Sequence, residues 1–235
     1  MYTIGNKVMT SACDEQGGLK LYSALQMLQD CSEMWIESEP RVKEFFAEEG
    51  MAQLLVFRQV DIERVPKYGE EVTVTSSVYG MKPMFGFRNT FIYDAAGNAC
   101  YRTWSMGAFV DMATGKLKNV STEAIASMKI EEQKSMDYLD RRIAQPKDGW
   151  RELAPYTVCR ADIDYNHHMN NANYVRLAFE TLPEGFAYDR LRVEYRVPVK
   201  RGELIFPVVQ EVDGRWLVRL MSGGQVASVV EFSKR

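Results

Sequence analysis

Twice along this chain, an apolar pattern with helical spacing gives way to a run of long segments with strand spacing. Residues 19–35 place Leu21, Ala24, Leu25, Leu28, Cys31 and Trp35 at helical intervals. Leu19, Tyr22, Met27 and Met34 widen that stripe beyond one face, which predicts a helix wrapped by other structure. A shorter helix fits residues 40–49, with Pro40 suited to its first turn and Gly50 to its stop. The period then becomes two. Residues 53–63, 71–79, 85–93 and 99–110 read as strands rich in Val, Thr, Ile, Phe and Tyr. Turn signals at 67–69, 80–83, 94–98 and 111–115 separate and close them.

Residues 129–149 break this style. They are charged, contain Pro146 and Gly149, and read as a linker with some helical content. After them the order begins again. A short strand at 156–160 precedes a polar stretch at 162–174. A helix then carries Val175, Ala178, Phe179 and Leu182 on one face and stops at Pro183 and Gly185. Strands follow at 191–199, 204–212, 215–221 and 226–232, with hairpin turns at Asp213-Gly214 and at 222–224. The halves also share a short echo, RVPKYGE at 64–70 and RVPVKRGE at 196–203. A repeated order of helix and antiparallel meander predicts a duplicated α+β fold, each half a sheet curved around a helix. The expected division is 1–128, a linker at 129–149, and 150–235.

The 235 residues carry a net charge of −3 and no basic stripe, which argues against a general nucleic-acid binder. No apolar run is long enough to span a bilayer, and the first residues lack the pattern of a signal or transit peptide. A cytoplasmic protein is expected. Four cysteines are scattered without a CxxC, so buried reduced thiols are expected and a metal site is not.

The polar stretch reads DIDYNHHMNNANY and holds both histidines of the chain, His167 and His168. Asp164, Asn166 and His168 alternate, so an extended backbone would put all three on one surface and His167 on the other. Histidine transfers protons near neutral pH. A carboxylate can orient it, activate water or attack a carbonyl, and an asparagine can position water or donate to an oxyanion. Asn170 or Asn171 sits where the helix begins and can cap it, and the free N–H groups there favour developing negative charge. By spacing alone, a polar helix cap explains the cluster better than a catalytic site does. Only one of the two helix starts carries these groups; the other reads GluGlnGlyGlyLeu at 15–19.

This stretch resembles the signature of the acyl-ACP thioesterases, the fatty-acyl carrier protein hydrolases of the double hotdog fold. Asp162, Asp164, Asn166, His168, Asn170, Asn171 and Tyr174 match its fixed types. Tyr2, the helix near 19–35, RVPKYGEEVTV, WSMGAFVDMATGKL and LRVEYR extend the likeness over nearly the whole chain. The resemblance implies two tandem hotdog domains, with the acyl pocket mainly in the first, where Met and aromatic residues are enriched. It implies Asp164 as the catalytic carboxylate with Asn166 and His168 as partners. The backbone amides at the helix start, Asn170 and Asn171, are the expected oxyanion donors, and no cofactor is expected. Plant members carry a plastid-targeting segment, so a start without one points to the bacterial-type form.

One departure stands out. Family members often carry a Glu, sometimes beside a Cys, after the EYR of this strand, both with catalytic roles assigned. This chain has Pro198 and Val199 there. Glu194 and Glu203 flank the place without matching it, and Cys159 reads as a buried strand residue. The implied partner is the acidic acyl carrier protein, for which Arg192, Arg196, Lys200 and Arg201 are docking candidates. Two hotdogs in one chain fit a monomer or a homodimer. The rival readings are a thioesterase acting on acyl-CoA and an acyl-binding hotdog module without turnover.

Overall fold

The computed structural model describes residues 1–235, apart from the side chain of Ser127. It divides into two compact units. The first comprises Met1–Val56 and Ile62–Tyr138, the second Phe57–Asp61 and Leu139–Arg235.

The first unit opens with β1 (Tyr2–Lys7), a strand whose residues alternate between half-buried and exposed, and a 3-10 turn at Thr10–Ala12. Helices α1 (Leu21–Glu37) and α2 (Pro40–Glu48) follow. Then come β2 (Met51–Ile62), β3 (Glu71–Lys82), β4 (Phe85–Asp94), β5 (Ala99–Asp111) and α3 (Thr122–Ser127). Their sheet order is β1-β3-β4-β5-β2. The β1–β3, β3–β4 and β4–β5 pairs are antiparallel. Helix α1 packs on β1, β3 and β4. It buries the predicted face of Leu21, Ala24, Leu25, Leu28, Cys31 and Trp35, each fully buried leucine contributing about 2 kcal/mol. Met34 stays exposed, so the helix is covered on one side rather than all round. Trp35 joins Val42 and Val78 in a cluster linking α1, α2 and β3.

The second unit contains β6 (Arg151–Glu152), β7 (Tyr156–Thr157), a 3-10 turn at Arg160–Asp162 and α4 (Asn171–Phe179). Strands β8 (Arg190–Tyr195), β9 (Leu204–Val212), β10 (Arg215–Ser222) and β11 (Gln225–Ser233) follow. Residues Phe57–Asp61 of β2 pair antiparallel with β8, and the order continues β8-β11-β10-β9-β6, with β7 also on β9. The β9–β10 hairpin turns at Asp213 and Gly214, both at positive φ, as a two-residue primed turn requires. The β10–β11 hairpin turns on Gly223 and Gly224 in the same way. Helix α4 packs on β10 and β11 and ends after nine residues, far shorter than α1.

Several features differ from expectation. Helix α4 ends at Phe179, whose side chain is exposed, rather than running on to Leu182, and neither α3 nor β6 was expected. Residues 129–149 contain no helix, and they are tied down in each unit rather than left as a free spacer. Lys134 donates to Thr75 and Tyr93 in the first unit, while Ile143 is buried in the second with Leu217 and Val229. Strand β8 stops at Tyr195, after which the Arg196 and Val197 N–H groups converge on the single carbonyl of Ala227, and Pro198 has no N–H with which to resume the ladder. Strand β1 carries no flanking turn signal and was not expected.

Candidate active site

Residues 163–169 form a closed turn, not the extended segment that alternation predicted. Ile163 and Met169 make an isolated antiparallel bridge. Inside it, Asp164 N–H donates to the His168 carbonyl at 3.0 Å, and His167 N–H donates to the Asp164 carbonyl at 3.0 Å. The Asp164 carboxylate accepts Asn166 N–H at 2.9 Å, the local bond by which aspartate bends its own backbone. His167 adopts φ 63, so the tip is left-handed and side-chain parity does not apply. Asp164 and His168 nonetheless stay neighbours, joined at the base of the turn by the backbone bond between them. Both are half-buried, whereas Asn166 and His167 are exposed.

The first unit contains the same turn. Cys13 bridges Leu19, Asp14 N–H donates to the Gly18 carbonyl, Gly17 N–H donates to the Asp14 carbonyl, and Gly17 has φ 71. Asp14, Gln16, Gly17 and Gly18 are thus the counterparts of Asp164, Asn166, His167 and His168. Two bonds differ. Asp14 accepts a second N–H, from Gly18 at 2.7 Å, and Tyr68 N–H pins the Gly17 carbonyl at 2.8 Å. Among the described residues neither bond has a counterpart in the second unit. Both aspartates serve the turn through one oxygen, but Asp164 accepts a single N–H there where Asp14 accepts two, so Asp164 keeps more of its capacity for a ligand.

At the base, Asp162 is 3% exposed. One carboxylate oxygen accepts Arg176 at 2.8 Å, and the other accepts Tyr156 OH and Cys159 N–H, each at 2.8 Å. Burial pushes its carboxyl up, but the Cys159 N–H, Tyr156 and Arg176 outweigh burial and hold it below the usual value. Burial, helped by Cys159 and Asp162, pushes the Tyr156 phenol up to about 12.

Asn170 is the N-cap of α4. Its side chain accepts Ala172 N–H at 2.9 Å, and Asn171 is the first helical residue. The Asn170 N–H, expected beside the oxyanion, is instead taken by the Asp162 carbonyl at 2.8 Å, whereas among the described residues the N–H groups of His168 and Asn171 have no protein acceptor and can donate to a ligand. Tyr174 is buried, and its OH accepts Val199 N–H at 2.9 Å. Burial pushes its phenol up to about 12, and the charges of Glu203 and Asp164 add to that rise.

Val199 is fully buried and its carbonyl accepts Met169 N–H, the place Pro66 holds opposite Leu19. By hydrogen bonding, then, Pro66 corresponds to Val199 and not to Pro198, and the second echo carries one extra residue. Glu203 accepts Lys200 N–H, and Glu194 accepts Ile143 N–H and Arg196.

The docking candidates divide. Arg192 is buried and paired with Glu231 at 2.7 Å, so it is part of the sheet and not a surface cation. Lys200 and Arg201 are exposed, and Arg196 is exposed but held by Glu194 at 2.8 Å. Cys159 is exposed at the cap of the 3-10 turn rather than buried in a strand. Asp162 with Arg176, Asn173 and Tyr156 escaped sequence reasoning as a linked group. The pairing closes through the 3-10 turn, whose sequence sign is Asp162, the first acid of the motif.

Models of the acyl-ACP thioesterase N-terminal and C-terminal domains match residues 2–128 and 146–225. No curated protein sequence matches the chain. Several solved structures share its fold. An oleoyl thioesterase (putative) from Lactobacillus plantarum is 24% identical, with TM-score 0.83 over 98% of this chain and 94% of its own. An acyl-ACP thioesterase from Bacteroides thetaiotaomicron is 18% identical, with TM-score 0.87 over 98% and 96%. The 12:0-ACP thioesterase from Umbellularia californica is 17% identical, with TM-score 0.79 over 100% and 96%. The fold is therefore the α+β hotdog, present twice. With the first domain model alone covering more than half of the sequence and the second following it in order, the chain belongs to the acyl-ACP thioesterases, enzymes that hydrolyse fatty acyl-ACP.

Proposed function

We propose that the turn at 164–168 carries the hydrolysis of a fatty acyl thioester on acyl carrier protein, releasing free fatty acid and ending chain elongation. The observation that carries this reading is the doubled turn. Both units build the same backbone around an aspartate, and only the second places Asn166 and His168 on it and leaves the carboxylate one N–H short.

In this reading Asp164 and His168 take a proton from water as its oxygen attacks the thioester carbon. The carbonyl electrons collect on oxygen, stabilised by the His168 and Asn171 N–H groups and by Asn166. The C–S bond then breaks and the departing thiolate takes up the proton. Direct attack by Asp164, followed by hydrolysis of the anhydride, uses the same groups. Lys200 and Arg201 meet the acidic carrier protein, and the acyl chain is held in the first hotdog. The reaction is placed in the cytoplasm, where this reading puts the carrier. No helix among the described residues is long and apolar enough to cross a membrane.

The test is a panel of acyl-ACP and acyl-CoA substrates of varied chain length, run on the wild type, Asp164→Ala and His168→Ala. Acid release from acyl-ACP by the wild type and its loss in both variants is the expected result. No release from any acyl-ACP overturns the function, and full activity in both variants overturns the site.

A further inference from the structure

The base of the 163–169 turn is closed by one backbone bond in each unit: Asn170 N–H to the Asp162 carbonyl at 2.8 Å, and Lys20 N–H to the Ala12 carbonyl at 2.9 Å. In the first unit that bond suffices. Ala12, Ser23 and Gln26 stand where the second unit has Asp162, Asn173 and Arg176, and Asn6 stands in place of Tyr156. Gln26 turns away and donates to Tyr22 on its own helix.

The second unit adds a side-chain frame around the same bond. Asp162 binds Arg176, Tyr156 and Cys159 N–H as described above. Arg176 Nε donates to the Asn173 side chain at 2.9 Å, and Asn173 donates back to the Asp162 carbonyl at 3.1 Å. The guanidinium also lies over the Tyr156 ring, 5.5 Å from its centre. Burying a carboxylate with an arginine adds little net stability, since desolvation offsets the attraction. The twin shows that the turn forms without the pair. The frame is found in the unit whose turn carries the Asp, Asn and His set.

We propose that Asp162 and Arg176, with Tyr156 and Asn173, are positioning residues that hold the turn and the first residues of α4 in register for the chemistry of Asp164 and His168. None of the four touches the substrate. Asp162 fixes both ends of the loop at once, its side chain holding the 3-10 turn on the entry side and its carbonyl holding Asn170 on the exit side. A displacement of about 1 Å at reacting groups can cost on the order of a hundredfold in rate.

The inference rests on the proposed thioester hydrolysis, and its test separates the two. The variant is the double exchange Asp162→Ala with Arg176→Gln, which installs the first unit's own pair and leaves no charge unpaired. The folded double variant is expected to keep its KM for acyl-ACP and lose kcat by about 10- to 100-fold. Arg176→Lys, which keeps the charge but not the second donor, is expected to fall between. Amide exchange, which does not depend on turnover, is expected to rise at 163–170 while the twin turn at 13–20 is unchanged. Unchanged kcat with unchanged exchange overturns the proposal, as does a parallel loss of kcat, KM and melting temperature. If the wild type hydrolyses no thioester, the proposed function fails and the exchange comparison alone decides whether the frame orders the turn.

Discussion

Asp14 and Asp164 hold the same position in two copies of one turn, and each accepts the N–H of the residue two further on, from Gln16 at 3.0 Å and from Asn166 at 2.9 Å. Their variants are expected to part company. Asp14→Ala removes two hydrogen bonds and costs about 1 kcal/mol of stability, with acid release per folded molecule unchanged. Asp164→Ala costs less stability and lowers kcat by about a thousandfold. Urea unfolding and fatty acid release on both proteins check this. Equal loss of activity in the two would assign Asp164 to the turn alone.

His167 occupies a left-handed position that its counterpart fills with Gly17. A side chain there costs about 1 kcal/mol that glycine avoids. His167→Gly is therefore expected to raise the melting temperature while kcat falls by far less than the roughly hundredfold or more that losing a proton-transferring group costs. Thermal unfolding beside steady-state kinetics measures both. A large fall in kcat would bring His167 into the chemistry.

Arg192 and the pair Lys200 with Arg201 are neighbours in sequence with opposite surroundings. Arg192→Ala leaves the buried Glu231 with Arg215 as its remaining ion-pair partner and is expected to cost up to about 3 kcal/mol, less than a fully unpaired buried charge would. Lys200→Glu with Arg201→Glu is expected to leave stability alone and raise KM for acyl-ACP about tenfold, without changing hydrolysis of a small acyl thioester. The rise should shrink as salt increases. A KM that stays fixed would move carrier docking to another surface.

Asp162 is held below the ordinary carboxylate value in the folded chain, against about 3.9 when unfolded. A lowered folded value means that this contribution is complete above the unfolded value. It is lost as pH falls through the folded one. Wild type is thus expected to lose more stability than Asp162→Asn between about pH 4 and pH 2, because the amide has no proton to gain. Urea midpoints at the two ends of that window give the comparison. Parallel curves would remove the carboxylate from the acid response.

Much of the architecture was legible because periodicity is a local property. The buried face of α1, the long strands of the first unit and the Asp213-Gly214 hairpin follow from side-chain spacing and turn chemistry, with no knowledge of the neighbours. The polar stretch was also legible, as residue types matching a family signature. Its shape was not. Alternation of Asp164, Asn166 and His168 is compatible with a strand and with a turn, and the choice went to a turn because the Asp164 carboxylate captures Asn166 N–H and Met169 N–H is drawn to Val199.

The sequence by itself determined that the chain repeats a helix-and-meander order and that only one of the two helix starts carries the groups for thioester chemistry. Tertiary structure alone decided which charges are free. Arg192, Arg196, Lys200 and Arg201 read alike as a basic cluster. Yet Arg192 points into the sheet, where Glu231 from β11 waits for it, and Lys200 and Arg201 lie on an exposed loop. Asp162 likewise reads as one more acid of the motif until Arg176 and Tyr156 close on it from α4 and β7. A charge is defined by the partner opposite it, and that partner is supplied by another element of the chain, brought near only when the fold is complete.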